Sequence, residues 1–447
     1  MSLFSTKNIS KTLIINFLFS FIIVSFLAGN LVINLNILLI IIFSLFFYKK
    51  KIFEVKIDLF DKIIILLFSY ILICSFLNNI VYFAEGSDKN FSVFLKSIFF
   101  LRFLILYFVI KFLIKEEILN FKIFFITSLV CVTFVCIDII YQLIFGYDIF
   151  GYEANSRRLS GPFGDEPIAG SYIQRFSIIA LFAVYIFFKF KKNYTKYIFI
   201  AFLVSLFTFA LILSGNRIPL LFFILIISFI ILFEKPLRKY LLPFLFVPFL
   251  LIIIVTNISE NYRYHLISFV EKTLQMTLIF SSKNLLTVEE EKKNEIDDFY
   301  LVEYKGKKYK LLNSHLKEFR TGYATWNEKK IFGGGIKSFG INCPKAKTIN
   351  CGRHPHNYYL EVLASLGLVG FFIIVYLFYK IFMNTFIMKY FKKSLLKDFH
   401  LITPFIFLFF SEVMPIKSTG SFFTTGNATY IFLLLSILIS LTKKKLD

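Results

Sequence analysis

The chain has 447 residues, 57% of them hydrophobic and 20% aromatic, with 63 Phe and a mean hydropathy of +0.74. One soluble core cannot hide that much apolar surface, which excludes a soluble enzyme, a disordered protein and a collagen-like one. The net charge of +22, from 50 Lys+Arg against 28 Asp+Glu, comes without any nucleic-acid recognition module. Lysine gathered in short cytoplasmic loops explains it, and no nucleic-acid partner is expected.

Many apolar runs reach the roughly 20 residues that cross a bilayer as a helix. They are solidly apolar rather than alternating, which excludes a porin-like barrel. Lys7 and Lys11 precede the first run and no A-x-A site follows it, so it reads as an uncleaved membrane helix. Spans are expected at about 12–28 and 31–48, joined at Gly29-Asn30 and followed by Lys49, Lys50 and Lys51. Further spans follow at about 60–77, 92–114, 121–144, 169–188, 197–213, 218–233 and 240–257. Residues 258–357 contain no span and read as a polar, mixed-charge loop, with short helices expected at about 258–282 and 312–328. Spans at about 358–379, 399–414 and 428–442 complete the set.

The expected fold is therefore an all-α polytopic membrane protein of about twelve transmembrane helices with one large loop. It divides into residues 1–257, 258–357 and 358–447. Lys115, Lys189, Lys191, Lys192, Lys235, Lys239, Lys389, Lys392 and Lys443 through Lys445 all fall at one end of the spans. The positive-inside rule then puts both termini in the cytoplasm and the large loop in the periplasm. No internal repeat is visible, as a transporter built from matched halves would show, which counts against the alternative of a different class, a transporter or flippase.

The opposite ends collect the chemistry. Four segments lie there: Arg157 to Glu166; Ser214-Gly215-Asn216-Arg217; Arg320 to Asn357; and Pro415 to Asn427. Arg158, Arg175, Arg217, Arg320 and Lys417 bring cations to that face, and guanidinium forks suit phosphate oxygens. Arg102 and Arg175 lie within spans, where a cation usually faces a cavity or a partner; for Arg175 a structural partner could be Asp165, Glu166 or Glu361. His354-Pro355-His356-Asn357 sits where the loop re-enters the membrane. Its imidazoles suit proton transfer near neutral pH, and Asn357 could orient an imidazole or a sugar hydroxyl. Ala364, Ser365, Gly367 and Gly370 would let the following helix approach its neighbours closely. Gly333-Gly334-Gly335 lacks the strand–helix context of a dinucleotide fingerprint and reads as a flexible or tight turn. Cys343 and Cys351 are disulfide candidates in an oxidising compartment. A zinc site using them with His354 and His356 has no usual ligand spacing, so no metal is expected. No cofactor is expected either.

These motifs resemble the lipopolysaccharide O-antigen ligase and O-antigen polymerase superfamily. Its H-[NSQ]-x9-G-x-x-G pattern is met by His356-Asn357 and Gly367-Leu368-Val369-Gly370, and its R-x3-L pattern by Arg217 and Leu221. Arg320, Trp326 and Gly333 through Gly335 follow the family's order before the His motif, and the resemblance spans roughly residues 130–430. It implies a metal-independent, inverting glycosyltransferase of the GT-C type in the bacterial inner membrane. The donor would be a glycan on undecaprenyl pyrophosphate and the first-choice acceptor lipid A–core. A polymerase and a protein O-oligosaccharyltransferase share the motifs. His356, Arg217 and Arg320 would be catalytic, with His356 as general base or acceptor-positioning group and His354 as the second-choice base. His354, Asn357 and Lys417 would bind substrate, and charge and placement, rather than the resemblance, add Arg158 and Arg175 to them.

Overall fold

In hydrocarbon a backbone can satisfy its own polar groups within a single helix, and the apolar runs fold that way. The computed structural model describes residues 6–84, 92–154, 158–242, 246–258, 300–304, 307–311, 314–344, 351–352, 354–392, 399–417 and 420–444. Helices α1 (Thr6–Ala28), α2 (Asn30–Tyr48), α3 (Leu59–Ala84), α4 (Ser92–Phe100), α5 (Arg102–Lys115), α6 (Phe121–Phe145), α7 (Ala169–Phe187) and α8 (Asn193–Leu213) come first. They are followed by α9 (Arg217–Phe233), α10 (Lys235–Leu241), α11 (Val247–Ile258), α12 (Ser314–Glu328), α13 (Phe339–Asn342), α14 (Tyr358–Tyr390), α15 (Thr403–Val413) and α16 (Thr425–Lys444). Among the described residues nine spans are long and apolar enough to cross a membrane, with α4 and α5 counted together. Arg217–Phe233 and His400–Glu412 are shorter apolar helices. Large side chains such as Leu31 (72% exposed) and Phe46 (70%) face outward, as lipid contact allows but water would not favour. The chain is a multi-pass membrane protein.

Three expectations need correction. The helical expectation missed a two-stranded antiparallel sheet, β1 (Tyr300–Tyr304) and β2 (Lys307–Leu311), with Tyr300 opposite Leu311. Its aromatic and β-branched residues favour a strand despite the polar surroundings. The span expected over 240–257 starts later than expected: Tyr240 and Leu241 end α10, α11 begins at Val247, and 243–245 lie outside the described residues. The expected helix over 258–282 lies outside the described residues, apart from the end of α11. Within the 92–115 span, the Arg102 Nη1 donates to the Phe99 carbonyl at 2.6 Å. The guanidinium thereby takes an acceptor from the helical ladder, where α4 gives way to α5.

The third correction concerns the span expected to end near 379, which runs to Tyr390 and breaks at Gly367, at φ 64° and ψ −166°. The Gly333–Gly335 turn fills that break. Gly334 N donates to Ala364 O at 3.1 Å and Gly335 N to Ser365 O at 2.8 Å, while Leu368 N and Val369 N donate back to Lys330 O (2.9 Å) and Ile331 O (3.2 Å). The carbonyls of Ala364 and Ser365 and the N–H groups of Leu368 and Val369, freed by the break, thus have partners, as burial favours. From α3, the Tyr70 hydroxyl donates to Leu366 O at 2.8 Å, Asn78 Nδ2 to Gly333 O at 3.0 Å and the Tyr82 hydroxyl to Gly334 O at 2.8 Å. The turn read as flexible or tight is a fitted plug. A Cβ on Gly367 would lie 2.2 Å from Ile331 O, and its backbone angles suit only glycine. Gly367→Ala is therefore expected to lose about 1–3 kcal/mol from backbone strain alone, read as a lowered thermal midpoint. Gly340→Ala, whose Cβ would meet nothing closer than 4.0 Å, is the control expected to stay near wild type.

Candidate functional site

The face opposite the lysine-rich ends is built from helix starts and turns. Asn357 opens α14: its side-chain oxygen accepts from Tyr359 N at 3.0 Å and Leu360 N at 3.1 Å, capping the helix. Its Nδ2 donates to Pro415 O at 2.8 Å, which ties the His motif to the α15–α16 turn. In this structure Asn357 serves as a cap and a tether. His356, just before the cap, has φ 51°, a left-handed conformation uncommon outside glycine and often found at functional sites. Its side chain is 41% exposed, and its Nε2 lies 3.5 Å from the Glu318 Oε1 on α12. The His354 and His356 rings are 4.3 Å apart, and His356 N donates to His354 Nδ1 at 3.3 Å.

Gly322 brings α12 to this point. A Cβ there would lie 2.9 Å from Pro355 Cβ, so only glycine permits the approach without a shift. Arg320 is exposed on the same helix, between Glu318 and Gly322. Cys343 and Cys351 form a disulfide with a Cα–Cα distance of 5.7 Å, which engages both sulfurs with each other.

A second group forms around the α8–α9 turn. Leu159 N donates to Leu213 O at 3.3 Å, laying the Arg158 segment against that turn. Arg158 and Arg217 are close enough for their charges to act on one another. On α7, a Cβ at Gly170 would lie 2.6 Å from both Asn216 Cβ and Ser214 Oγ, so α7 packs against Arg217's turn.

Five residues further along α7, Arg175 enters the node that joins the two groups. Its partner is Glu412, not Asp165, Glu166 or Glu361: Nη2 donates to Glu412 Oε1 at 2.7 Å and Nε to Oε2 at 3.3 Å. Lys417 donates to the same carboxylate, and the Tyr358 hydroxyl donates to its Oε1 at 2.8 Å. Arg175 Nη2 also reaches Asn427 Oδ1 at 2.6 Å, and its guanidinium carbon lies 4.9 Å from the centre of the Tyr430 ring. Glu412 is fully buried and Lys417 nearly so. Two cations on one carboxylate leave the node one positive charge in excess. Glu361, one turn into α14, accepts from Ser421 Oγ and Phe422 N, both at 2.6 Å, fixing the α15–α16 turn from a second point.

Glu412 and Glu318 were not among the candidate residues. Glu412 carried a signal: it is a carboxylate at the end of an otherwise apolar run, where ionisable groups lean toward function or pairing. Glu318 stood in a polar loop and carried none.

Burial, and then the neighbouring His356, pushes the His354 imidazole below its ordinary value of 6.5, against the pull of Glu318. The folded protein therefore takes up this proton at lower pH than the unfolded chain. The stability due to neutral His354 is complete above about pH 6.5 and is lost as pH falls through the lowered folded value. The thermal midpoint should drop as pH falls below about 6.5, and drop less in His354→Asn.

A multi-pass membrane protein that draws Arg and His to one end of its spans is defined as a class by this geometry. Residues 200–375 match the family model described as O-antigen ligase. That segment contains Arg217, Arg320, His356 and Gly367 through Gly370, so the resemblance first seen in the motifs holds for an O-antigen ligase or polymerase type of domain. Arg158, Arg175, Glu412 and Lys417 lie outside it. No curated protein matches the chain.

Proposed function

We propose that the chain is an inner-membrane glycosyltransferase that moves a glycan from undecaprenyl pyrophosphate to an acceptor hydroxyl, with lipid A–core as the acceptor. Its termini would lie in the cytoplasm and its large loop in the periplasm, with α9, α11 and α15 completing twelve spans. The observation that carries this reading is the gathering of His356, Glu318 and Arg320 at the same end of the spans as Arg158 and Arg217.

In the proposed reaction the acceptor oxygen attacks the anomeric carbon from the face opposite the pyrophosphate. The new glycosidic C–O bond forms as the C–O bond to the lipid pyrophosphate breaks. The leaving group takes the bonding pair, and His356 takes the acceptor proton. Glu318, 3.5 Å from the ring, orients it and faces the charge that forms on it, as a carboxylate does beside a catalytic imidazole. Arg217 and Arg320 hold the pyrophosphate and meet its growing charge, a service that a preorganised cationic site supplies without reorganisation. Arg158 adds to that field. Arg175 and Lys417, gripped by Glu412, contribute through the excess charge of their node.

Deleting the gene and resolving surface lipopolysaccharide and lipid-linked glycan on gels tests this reading. Full-length polymer trapped on undecaprenyl pyrophosphate, with bare lipid A–core, is the expected result. A single repeat on lipid A–core with no ladder would assign a polymerase instead. Unchanged lipopolysaccharide would remove lipid A–core as the acceptor and favour a protein acceptor.

A further inference from the structure

The opposite ends of the spans contain a second feature, separate from the His356 face. A cavity of about 1040 Å³ opens between the starts of α1, α6 and α8, the end of α7, helix α10 and the Phe399–Leu401 turn. Tyr185, in its wall, lies ten residues along α7 from Arg175, roughly 15 Å at helical rise. The wall is amphipathic, with Phe121 and Phe187 beside Lys122, Lys196 and Lys239.

The lysines are arranged around aromatic rings. Lys196 Nζ donates to Tyr185 O at 2.8 Å and lies 4.5 Å from the centre of that ring and 6.0 Å from that of Tyr240. Lys239 Nζ lies 5.0 Å from the Tyr240 ring centre, and the Lys196 and Lys239 charges act on one another. Among the described residues none of these three lysines pairs with a carboxylate. The buried Lys111, Lys389 and Lys417 all do, with Asp58 and Asp61, Glu234 and Glu412 respectively. One carboxylate, Glu117, also lines the cavity, and His400 at its edge is engaged with Glu234 at 3.0 Å. Like charges gathered without matching acids in a half-apolar cavity are relieved by an anion that also brings apolar surface. Tyrosine and lysine at the ends of spans lie at headgroup depth.

We propose that this cavity binds the phosphate headgroup of an anionic membrane lipid, whose acyl chains run along the apolar wall into the bilayer. Full-length protein in a neutral detergent should be melted with increasing dioctanoyl phosphatidylglycerol, dioctanoyl phosphatidylcholine or inorganic phosphate at matched ionic strength. Phosphatidylglycerol alone is expected to raise the thermal midpoint saturably. Each lysine removed should weaken the half-saturating concentration on the order of fivefold, so Lys196→Gln/Lys239→Gln should nearly abolish the effect. Lys122→Gln/Lys239→Gln, which changes two exposed side chains, gives the same test should the first variant fold poorly. An equal response to phosphatidylcholine, or an unchanged phosphatidylglycerol response in the variants, would overturn the site. An equal response to inorganic phosphate would overturn the lipid and assign a soluble anion.

Discussion

Glu412→Ala is expected to cost roughly 3–5 kcal/mol of stability, because it leaves two buried cations without their carboxylate. Glu412 is fully buried and binds Arg175, Lys417 and Tyr358 at once. Three elements therefore depend on it: α7, the start of α14 and the α15–α16 turn. Thermal unfolding of the purified protein would show a large drop in midpoint, and transfer activity would fall with it. The double change Glu412→Gln/Lys417→Met returns the node to a single positive charge. It is expected to recover part of the lost stability, since the two sites are in contact and their effects cannot add. Should transfer stay low while stability recovers, the node matters to the reaction beyond holding the helices together. A Glu412→Ala protein as stable as wild type would mean that the node is not a keystone of this face.

His356 calls for the opposite pattern. A general base contributes about 10²–10⁴-fold to rate, so His356→Ala should remove nearly all transfer. The imidazole is 41% exposed, and surface changes generally stay within about 0.5 kcal/mol. Its left-handed backbone adds a complication, because alanine tolerates φ 51° less well than histidine. His356→Asn avoids this, since asparagine is at home in that region. The Asn variant is expected to insert and melt like wild type while transfer falls by at least a hundredfold. His354→Asn should lose much less. If the losses were reversed, the base would be His354.

Most spans were legible because length and apolarity dictate them, and the short helix expected at about 312–328 corresponds to α12, Ser314–Glu328. What broke the helices was harder to read. Gly367 stood in a recognisable motif, but its small size suggested close helix packing, whereas its positive φ is what the structure uses. Gly333 through Gly335 read only as a flexible or tight turn because their partners, the free groups of the broken helix and Asn78 and Tyr82 of α3, lie far away in sequence. Arg175 shows the same limit. Its need for a partner was clear from its place within a span, yet the acids considered, Asp165, Glu166 and Glu361, did not include Glu412, 237 residues away. His356, Arg217 and Arg320 stand out in the sequence because their residue types are costly or reactive where they stand, whereas Glu318, 3.5 Å from His356, does not.

The most direct measurement uses purified protein, a polyprenyl-pyrophosphate-linked glycan and lipid A–core, following release of the polyprenyl pyrophosphate together with formation of the glycosylated acceptor. Wild type is predicted to produce both in equal amounts, and His356→Asn to produce neither while keeping its thermal midpoint. Equal turnover by wild type and a folded His356→Asn protein would contradict the assignment of this face as the transfer site.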